Sequence, residues 1–309
     1  MSLFDAIYRS DIQNVYRDKS QCISIDIKRE DQIHPVVSGN KFRKLKYNIQ
    51  QALSENHQVV LTYGGAYSNH IAATAAAAKM CGLQSIGIIR GQEIEDKLKA
   101  NPRHNPTLAF AKEQGMYLNF ISRASYKKKQ TTDEIKKLQQ KFGSFYHIPE
   151  GGTNALAVRG CQEILSDNDK KYDIIACCVG TGGTLAGIIN STHKHQKVYG
   201  FSALKGHNHD EIKQWTKKGN WQIIQDNNFG GYAKSSPRLI NFINSFYRCT
   251  SIKLDPIYTG KMFYQLFKMV EQHQFKNNTK ILAIHTGGLQ AIKGFNQKQS
   301  DKNKPCLEF

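Results

Sequence analysis

Two short stretches of this sequence carry residue types spaced for covalent and anion chemistry. The first is Ser38-Gly39-Asn40-Lys41-Phe42-Arg43-Lys44-Leu45. A lysine directly after Gly-Asn, at a loop-to-helix boundary, can project into a cleft. Desolvated there beside Arg43 and Lys44, Lys41 would lose basicity and could add to a carbonyl as a Schiff base. On spacing alone the run also fits a wet helix face. The second stretch is Gly180-Thr181-Gly182-Gly183-Thr184. Its glycines let the backbone approach an anion, its two threonines add hydroxyls, and a helix starting behind it would add free N–H groups. It is no P-loop, because no Lys precedes Thr184, and the G-x-G-x-x-G spacing is absent. Taken alone, it also reads as a tight turn that needs φ > 0.

These residues need a scaffold, and the hydrophobic pattern supplies one. Short β-branched runs recur at Cys22–Ile27, Val59–Thr62, Ser85–Ile89, Tyr117–Ile121, Tyr172–Val179, Val198–Ser202 and Ile281–His285. Helix-length stretches separate several of them, which predicts an α/β architecture with mainly parallel sheets. The best helix is Asn69–Met80, with Ile71, Ala72, Ala75, Ala76 and Met80 on a close-packing face. It follows a strand through the turn Gly64-Gly65-Ala66-Tyr67-Ser68. The strand Asp173–Val179 runs through the Gly180–Thr184 loop into a helix at Leu185–Asn190 in the same way. Two such strand–turn–helix units imply two α/β domains facing one site, interleaved because no linker separates them. Asn101–Pro106 and Lys205–Asn228, with Trp215 and Trp221, read as surface loops.

Composition removes other classes. The 309 residues are 39% hydrophobic and 22% charged, ordinary for a globular protein and long enough for a sizeable core. No apolar run is long enough to span a membrane, and Met1–Ser10 lacks a signal-peptide core, so a cytoplasmic protein without membrane partners is expected. The formal charge of +18 is spread over short lysine groups with no nucleic-acid motif. A cationic surface that attracts an anionic cofactor or a carboxylate substrate is expected, and specific nucleic-acid binding is not. The seven cysteines lack disulfide or zinc spacing and read as reduced, mostly buried thiols.

In combination the motifs resemble the pyridoxal-5′-phosphate enzymes of the tryptophan synthase β type (fold type II), specifically the 1-aminocyclopropane-1-carboxylate deaminase and D-cysteine desulfhydrase group. The landmarks come in the family's order: Ser38 to Leu45, Gly64-Gly65-Ala66-Tyr67-Ser68-Asn69-His70, Pro149-Glu150-Gly151-Gly152, Gly180 to Thr184, and Asp255-Pro256-Ile257-Tyr258-Thr259-Gly260-Lys261. The resemblance implies two interleaved three-layer α/β domains: a large one from 1–43 plus 153–309 that binds pyridoxal 5′-phosphate, and a small one from 44–152. It also implies a homodimer acting on a small amino acid.

Carried over by position, Lys41 is the lysine that holds the cofactor, and Asn69 meets the 3′-oxygen of its ring. Gly180, Thr181, Gly182, Gly183 and Thr184 bind its phosphate, with Lys44 as a further contact, and Thr286 belongs to the cofactor site. Ser68, Asn69 and His70 receive the substrate carboxylate at a helix N-terminus. Tyr258 and Tyr232 lie over the substrate, with Tyr258 the firmer match. Lys41, Tyr258, Tyr232 and Ser68 are thus the implied catalytic set, and Thr259 is placed with the substrate-binding residues.

Two positions separate the activities of the group. Deaminases carry Glu where this chain has Thr259, near the pyridine nitrogen, and Leu where it has Thr286. A neutral hydroxyl leaves the ring less protonated, which favours loss of a good leaving group over opening a cyclopropane. The expectation is a D-cysteine desulfhydrase-like β-elimination to pyruvate, ammonia and sulfide. The alternatives are deamination of 1-aminocyclopropane-1-carboxylate to 2-oxobutanoate and ammonia, and a non-catalytic cofactor- or anion-binding protein. The Asp31–Ser38 segment is shorter than the family's. Tyr63 and Tyr67 either line the cleft or pack its wall, His285 reads as structural, and Cys177-Cys178 read as packing on opposite faces of a strand.

Overall fold

The computed structural model describes residues 3, 4, 8, 10–101, 104–129, 131–204, 206, 209–225 and 229–309. Parts of the Met1–Ser10 stretch and of the two stretches read as loops (102–103, 205, 207–208 and 226–228) lie outside the described residues. Among the described residues ten strands follow in chain order: β1 (Ile12–Asp18), β2 (Ile23–Lys28), β3 (Val59–Gly65), β4 (Gln84–Arg90), β5 (Tyr117–Ile121), β6 (Tyr146–Ile148), β7 (Ile174–Val179), β8 (Lys197–Ser202), β9 (Trp221–Gln225) and β10 (Lys280–Ile284). They form a six-stranded sheet in the order β1-β2-β10-β7-β8-β9 and a four-stranded sheet in the order β5-β4-β3-β6. Every pairing is parallel except β1 with β2. The large sheet takes strands from both sides of the chain segment that makes the small one, so the two units are interleaved as expected.

Strand β7, Ile-Ile-Ala-Cys-Cys-Val, is buried throughout, as a parallel strand covered on both faces must be. Its residues alternate between two cores. Ile174, Ala176 and Cys178 pack with the helices Pro237–Thr250 and Thr259–Glu271. Ile175, Cys177 and Val179 pack with the helices Ala155–Gln162 and Gly183–Ser191. Helices on both faces give three layers, and Cys177 and Cys178 face opposite sides.

The Asn69–Met80 helix has the bounds read from the sequence, and it is buried all round instead of on one face. Ala73, Ala76, Ala77 and Ala78 join the core under the Asn40–Ser54 helix, while Ile71 and Ala75 join Leu108 and Ala111. Alanine suits such a position because it allows close approach at no side-chain entropy cost. Met80 departs from expectation: it is 42% exposed, as the last residue of the helix where it leaves the core.

Three other expectations are corrected. The Lys205–Asn228 stretch includes β9, which pairs with β8 along Trp221–Gln225, and a 3-10 turn at Asp210–Gln214. Pro106 opens the helix Pro106–Glu113, where its missing N–H costs nothing. Of the seven cysteines, Cys161, Cys177 and Cys178 are buried, Cys81 and Cys306 half-buried, and Cys22 and Cys249 exposed; all are free.

Candidate active site

A cleft of about 640 Å³ opens at the carboxyl ends of both sheets, the position where open parallel sheets take ligands. The chain turns sharply to enter it. Gly39 has φ +65°, and a Cβ there would lie 2.1 Å from the Thr286 carbonyl oxygen, so the position tolerates only glycine. The next N–H, of Asn40, donates to that same carbonyl at 3.1 Å, which fixes where the Asn40–Ser54 helix begins.

That start decides which cations face the cleft. Lys41 and Lys44 are three residues apart and share a helix face, and both line the cavity. Arg43 points away, its guanidinium held at 3.0 Å by each oxygen of the buried Glu30. The expected trio is therefore a pair, because 100° per residue carries Arg43 to the other side of the helix. Lys41 Nζ donates to Asn40 Oδ1 at 2.9 Å, and Asn40 Nδ2 donates to Thr184 Oγ1 at 2.8 Å. Burial lowers the Lys41 pKa below the usual lysine value, which favours the free amine a Schiff-base lysine requires.

Lys44 Nζ donates to the Gly151 carbonyl and Thr153 Oγ1, both at 2.9 Å, and to Thr181 Oγ1 at 3.3 Å. Burial, with a smaller push from Lys41, brings its pKa down to about 7. The glycine loop lies beside it. Gly182 takes φ +78° as the cap of the Gly183–Ser191 helix, and a Cβ on Gly183 would stand 3.3 Å from Lys44 Nζ. A cradle that added carbons would fill, at a helix N-terminus and beside a lysine, is an anion site. Thr153 belongs to this cluster and was missed in the sequence; the signal for it was the pair Gly151 and Gly152, both at positive φ, just before it.

The opposite wall comes from the turn after β3. Ser68 caps the Asn69–Met80 helix, its Oγ accepting from the Ile71 N–H at 3.4 Å, and Ser68, Asn69 and His70 all line the cavity. His70 Nε2 lies 2.8 Å from Thr62 Oγ1. Burial, reinforced by Lys41 and Lys44, holds its pKa well below the ordinary histidine value, so the ring is neutral. Asn69 Oδ1 and His70 Nδ1 are buried without a hydrogen-bond partner. Buried polar atoms are seldom left so, and both residues line the cleft, which fits a polar ligand there. With the amine of Lys41 and the anion cradle across from them, the residues present fit pyridoxal phosphate.

Tyr258 and Tyr232 also line the cleft, their ring centroids 6.0 Å apart. Tyr258 lies against Gly180, where a Cβ would meet its ring at 3.3 Å. Burial and then Tyr232 push its pKa well up, so its phenol is protonated. Tyr232 stands at the mouth, 45% exposed. Tyr67 lines the cleft and Tyr63 does not, being buried behind it. His285 is buried and 2.7 Å from the Lys253 carbonyl oxygen, a structural arrangement.

The two threonines fall differently. Thr286 lines the cleft, its Oγ1 2.9 Å from Cys178 Sγ. Thr259 does not line it: it is fully buried, donates to Asp255 Oδ1 at 2.7 Å, and accepts from the Asp255 N–H at 2.9 Å. The expected substrate contact is corrected because that hydroxyl is spent on Asp255, whose carboxylate holds the start of the Thr259–Glu271 helix. Asp255 also accepts from the N–H groups of Ile257, Tyr258 and Thr259 at 2.8–2.9 Å.

Comparison with known proteins agrees with this geometry. The family described as "Pyridoxal-phosphate dependent enzyme" matches residues 14–287. A Pyrococcus horikoshii protein named "Putative 1-aminocyclopropane-1-carboxylate deaminase" is 30% identical over 88% of this chain and 86% of its own. An Arabidopsis thaliana mitochondrial protein named a bifunctional D-cysteine desulfhydrase/1-aminocyclopropane-1-carboxylate deaminase is 30% identical over 86% of this chain and 72% of its own. A crystal structure of an ACC deaminase homologue superimposes with a TM-score of 0.80 at 26% identity, over 96% of this chain and 94% of that one. Fold, cleft and sequence agree that this chain belongs to the pyridoxal-phosphate dependent enzymes of fold type II, in the group of the 1-aminocyclopropane-1-carboxylate deaminases and D-cysteine desulfhydrases.

Proposed function

We propose that the chain catalyses β-elimination from a small amino acid, D-cysteine above all: cysteine and water give pyruvate, ammonia and hydrogen sulfide. The observation that carries this choice is the absence of a free carboxylate at the floor of the cleft among the described residues. Asp255, packed behind Gly288, already takes two donors on each oxygen, which fills the roughly four acceptor sites of a carboxylate. What faces the cleft there is the Thr286 hydroxyl, in contact with the Cys178 sulfur. Bound pyridoxal phosphate supplies the electron sink at Cα, and a neutral ring partner leaves a sink sufficient for loss of a good leaving group such as HS⁻.

The chain's own residues do the rest. Lys44, Thr181 and the N–H groups of the glycine loop hold the phosphate, while Ser68, Asn69 and His70 hold the α-carboxylate at a helix N-terminus. Lys41, whose free amine burial favours, takes the Cα proton. Tyr258, kept protonated, has a proton to deliver to the leaving sulfur, with Tyr232 linking it to solvent.

The second reading converts 1-aminocyclopropane-1-carboxylate and water into 2-oxobutanoate and ammonia, and the names of the relatives favour it. A panel of D-cysteine, D-serine, 1-aminocyclopropane-1-carboxylate and L-amino acids separates the two. D-cysteine should release pyruvate and sulfide faster than the cyclopropane releases 2-oxobutanoate, and the reverse ranking overturns the choice. Lys41→Ala should lose both turnover and the cofactor's absorbance near the visible range; retention of either removes Lys41 from its role.

A further inference from the structure

We infer that Arg90 selects substrates whose side chain ends in a carboxylate, an inference that rests on the elimination chemistry proposed above. Arg90 is the last residue of β4 and pairs in register with Gly65, which starts the turn leading to Ser68 and Asn69. It therefore stands beside the loop assigned to the α-carboxylate, at the mouth of the same cavity. Its Nη2 lies 3.7 Å from where a Cβ on Gly65 would stand, which places the guanidinium against the start of that turn. The guanidinium lies 5.7 Å from the centroid of the Tyr126 ring, a stacking contact that orients an arginine without using its N–H donors. Its charge reaches Tyr232, where it opposes the rise that burial gives that phenol's pKa.

Arg90 makes no ion pair among the described residues. The nearby carboxylate, Glu150, is taken by Lys129 at 3.1 Å and by the Tyr126 hydroxyl at 2.6 Å. Among the described residues, the charged ones lining the cleft are Lys41, Lys44, Arg90 and Lys298 against Glu150. Lys41 and Lys44 are assigned to the cofactor and Glu150 is neutralised by Lys129. Lys298 packs over the Tyr67 ring at 3.5 Å. Arg90 is left as the planar fork with donors to spare, and a carboxylate is the group that matches it two-pronged. A plain cysteine has no such group beyond its α-carboxylate. A thioether of cysteine bearing a carboxylate does, and the same elimination acts on it. S-carboxymethyl-cysteine would lose its Cα proton, break the Cβ–S bond with the electron pair leaving on sulfur, and after hydrolysis give thioglycolate, pyruvate and ammonia, consuming one water.

The test compares S-carboxymethyl-D-cysteine with its neutral isostere S-carbamoylmethyl-D-cysteine on the holoenzyme, with D-cysteine as reference. Binding is followed by the cofactor's absorbance and turnover by pyruvate. The wild type should favour the carboxylate about fivefold, the upper end for an ion pair at an exposed arginine. Arg90→Met should bring the ratio to about 1, and Arg90→Lys, which keeps charge and loses the fork, should fall between; cofactor absorbance and circular dichroism confirm that the variants are folded. Equal binding of the two probes by the wild type, failure of both to bind, or a preference that survives Arg90→Met overturns the inference. Failure of D-cysteine turnover instead strikes the elimination reading, and the binding ratio still judges Arg90 by itself.

Discussion

Replacing Lys44 by methionine should remove a proton that the wild type takes up when it binds pyridoxal phosphate. In the cofactor-free cleft the Lys44 pKa is about 7, so at pH 8 only about a tenth of the amine is charged. A phosphate dianion beside it restores the ordinary lysine value near 10.4 and full protonation. Uptake at this residue is then about 0.9 proton at pH 8, about 0.5 at pH 7 and about 0.1 at pH 6, as the difference of the two titration curves. Calorimetry of cofactor binding in buffers of different ionisation enthalpy measures it as the difference in proton uptake between the wild type and Lys44→Met. The substitution should also weaken cofactor binding by about 1.5–3 kcal/mol, the worth of a hydrogen bond to a charged group. Stability provides a check of sign. A lysine whose folded pKa lies below its unfolded one is charged at a cost below pH 7, and that cost disappears as pH rises from about 7 toward 10. The cofactor-free wild type should gain stability over that window, and Lys44→Met should gain less. Equal proton uptake by the two proteins at pH 8 would refute the reasoning and move the phosphate away from Lys44.

Two further outcomes follow from single contacts. Gly39→Ala sets a Cβ 2.1 Å from a backbone oxygen at φ +65° and should cost about 3–5 kcal/mol in denaturant unfolding; a loss under 1 kcal/mol would mean that the turn can open freely. Thr259→Glu, which restores the residue of the deaminases, places a second carboxylate against Asp255 where a hydroxyl now donates at 2.7 Å. It should destabilise the protein by about 2–4 kcal/mol without raising turnover of 1-aminocyclopropane-1-carboxylate, and a rise in that activity would show that the side chain at 259 reaches the ring.

The parts of the site legible in the sequence are those written in contiguous residues. The glycine loop, the cap Ser68 and the helix it starts depend on neighbours within a few positions. The pairing of Lys41 with Lys44 was equally available, because a helix beginning at Asn40 puts i and i+3 on one side and sends Arg43 to the other. Other features depend on distant partners. Asp255 saturates itself with donors from the turn that follows, so Thr259 faces a carboxylate, and no spacing rule says which way that hydroxyl points. Strand β9 is five residues at a sheet edge, half-buried and set in polar sequence, and its only sheet neighbour among the described residues is β8. Its strand character comes from that neighbour. Arg90 was hidden by its ordinariness: an arginine ending a strand is notable only when Gly65 is known to lie beside it.

The order of strands in the large sheet has a consequence for how the protein is made. β10 is the last of the ten strands to leave the ribosome, yet it lies between β2 and β7, about 250 and 100 residues upstream. Until it emerges, those two strands have no neighbour to join them, and their apolar faces, Ile23, Ile25 and Ile27 on one and Ile174 to Val179 on the other, stay without a finished core. Pairing over such separations is slow and leaves edges open to aggregation. Thr286, whose carbonyl positions the turn before Lys41, arrives at the same late moment. A nascent chain therefore lacks the carbonyl that receives the Asn40 N–H until β10 has emerged, and the turn before the cofactor lysine is completed only together with the sheet.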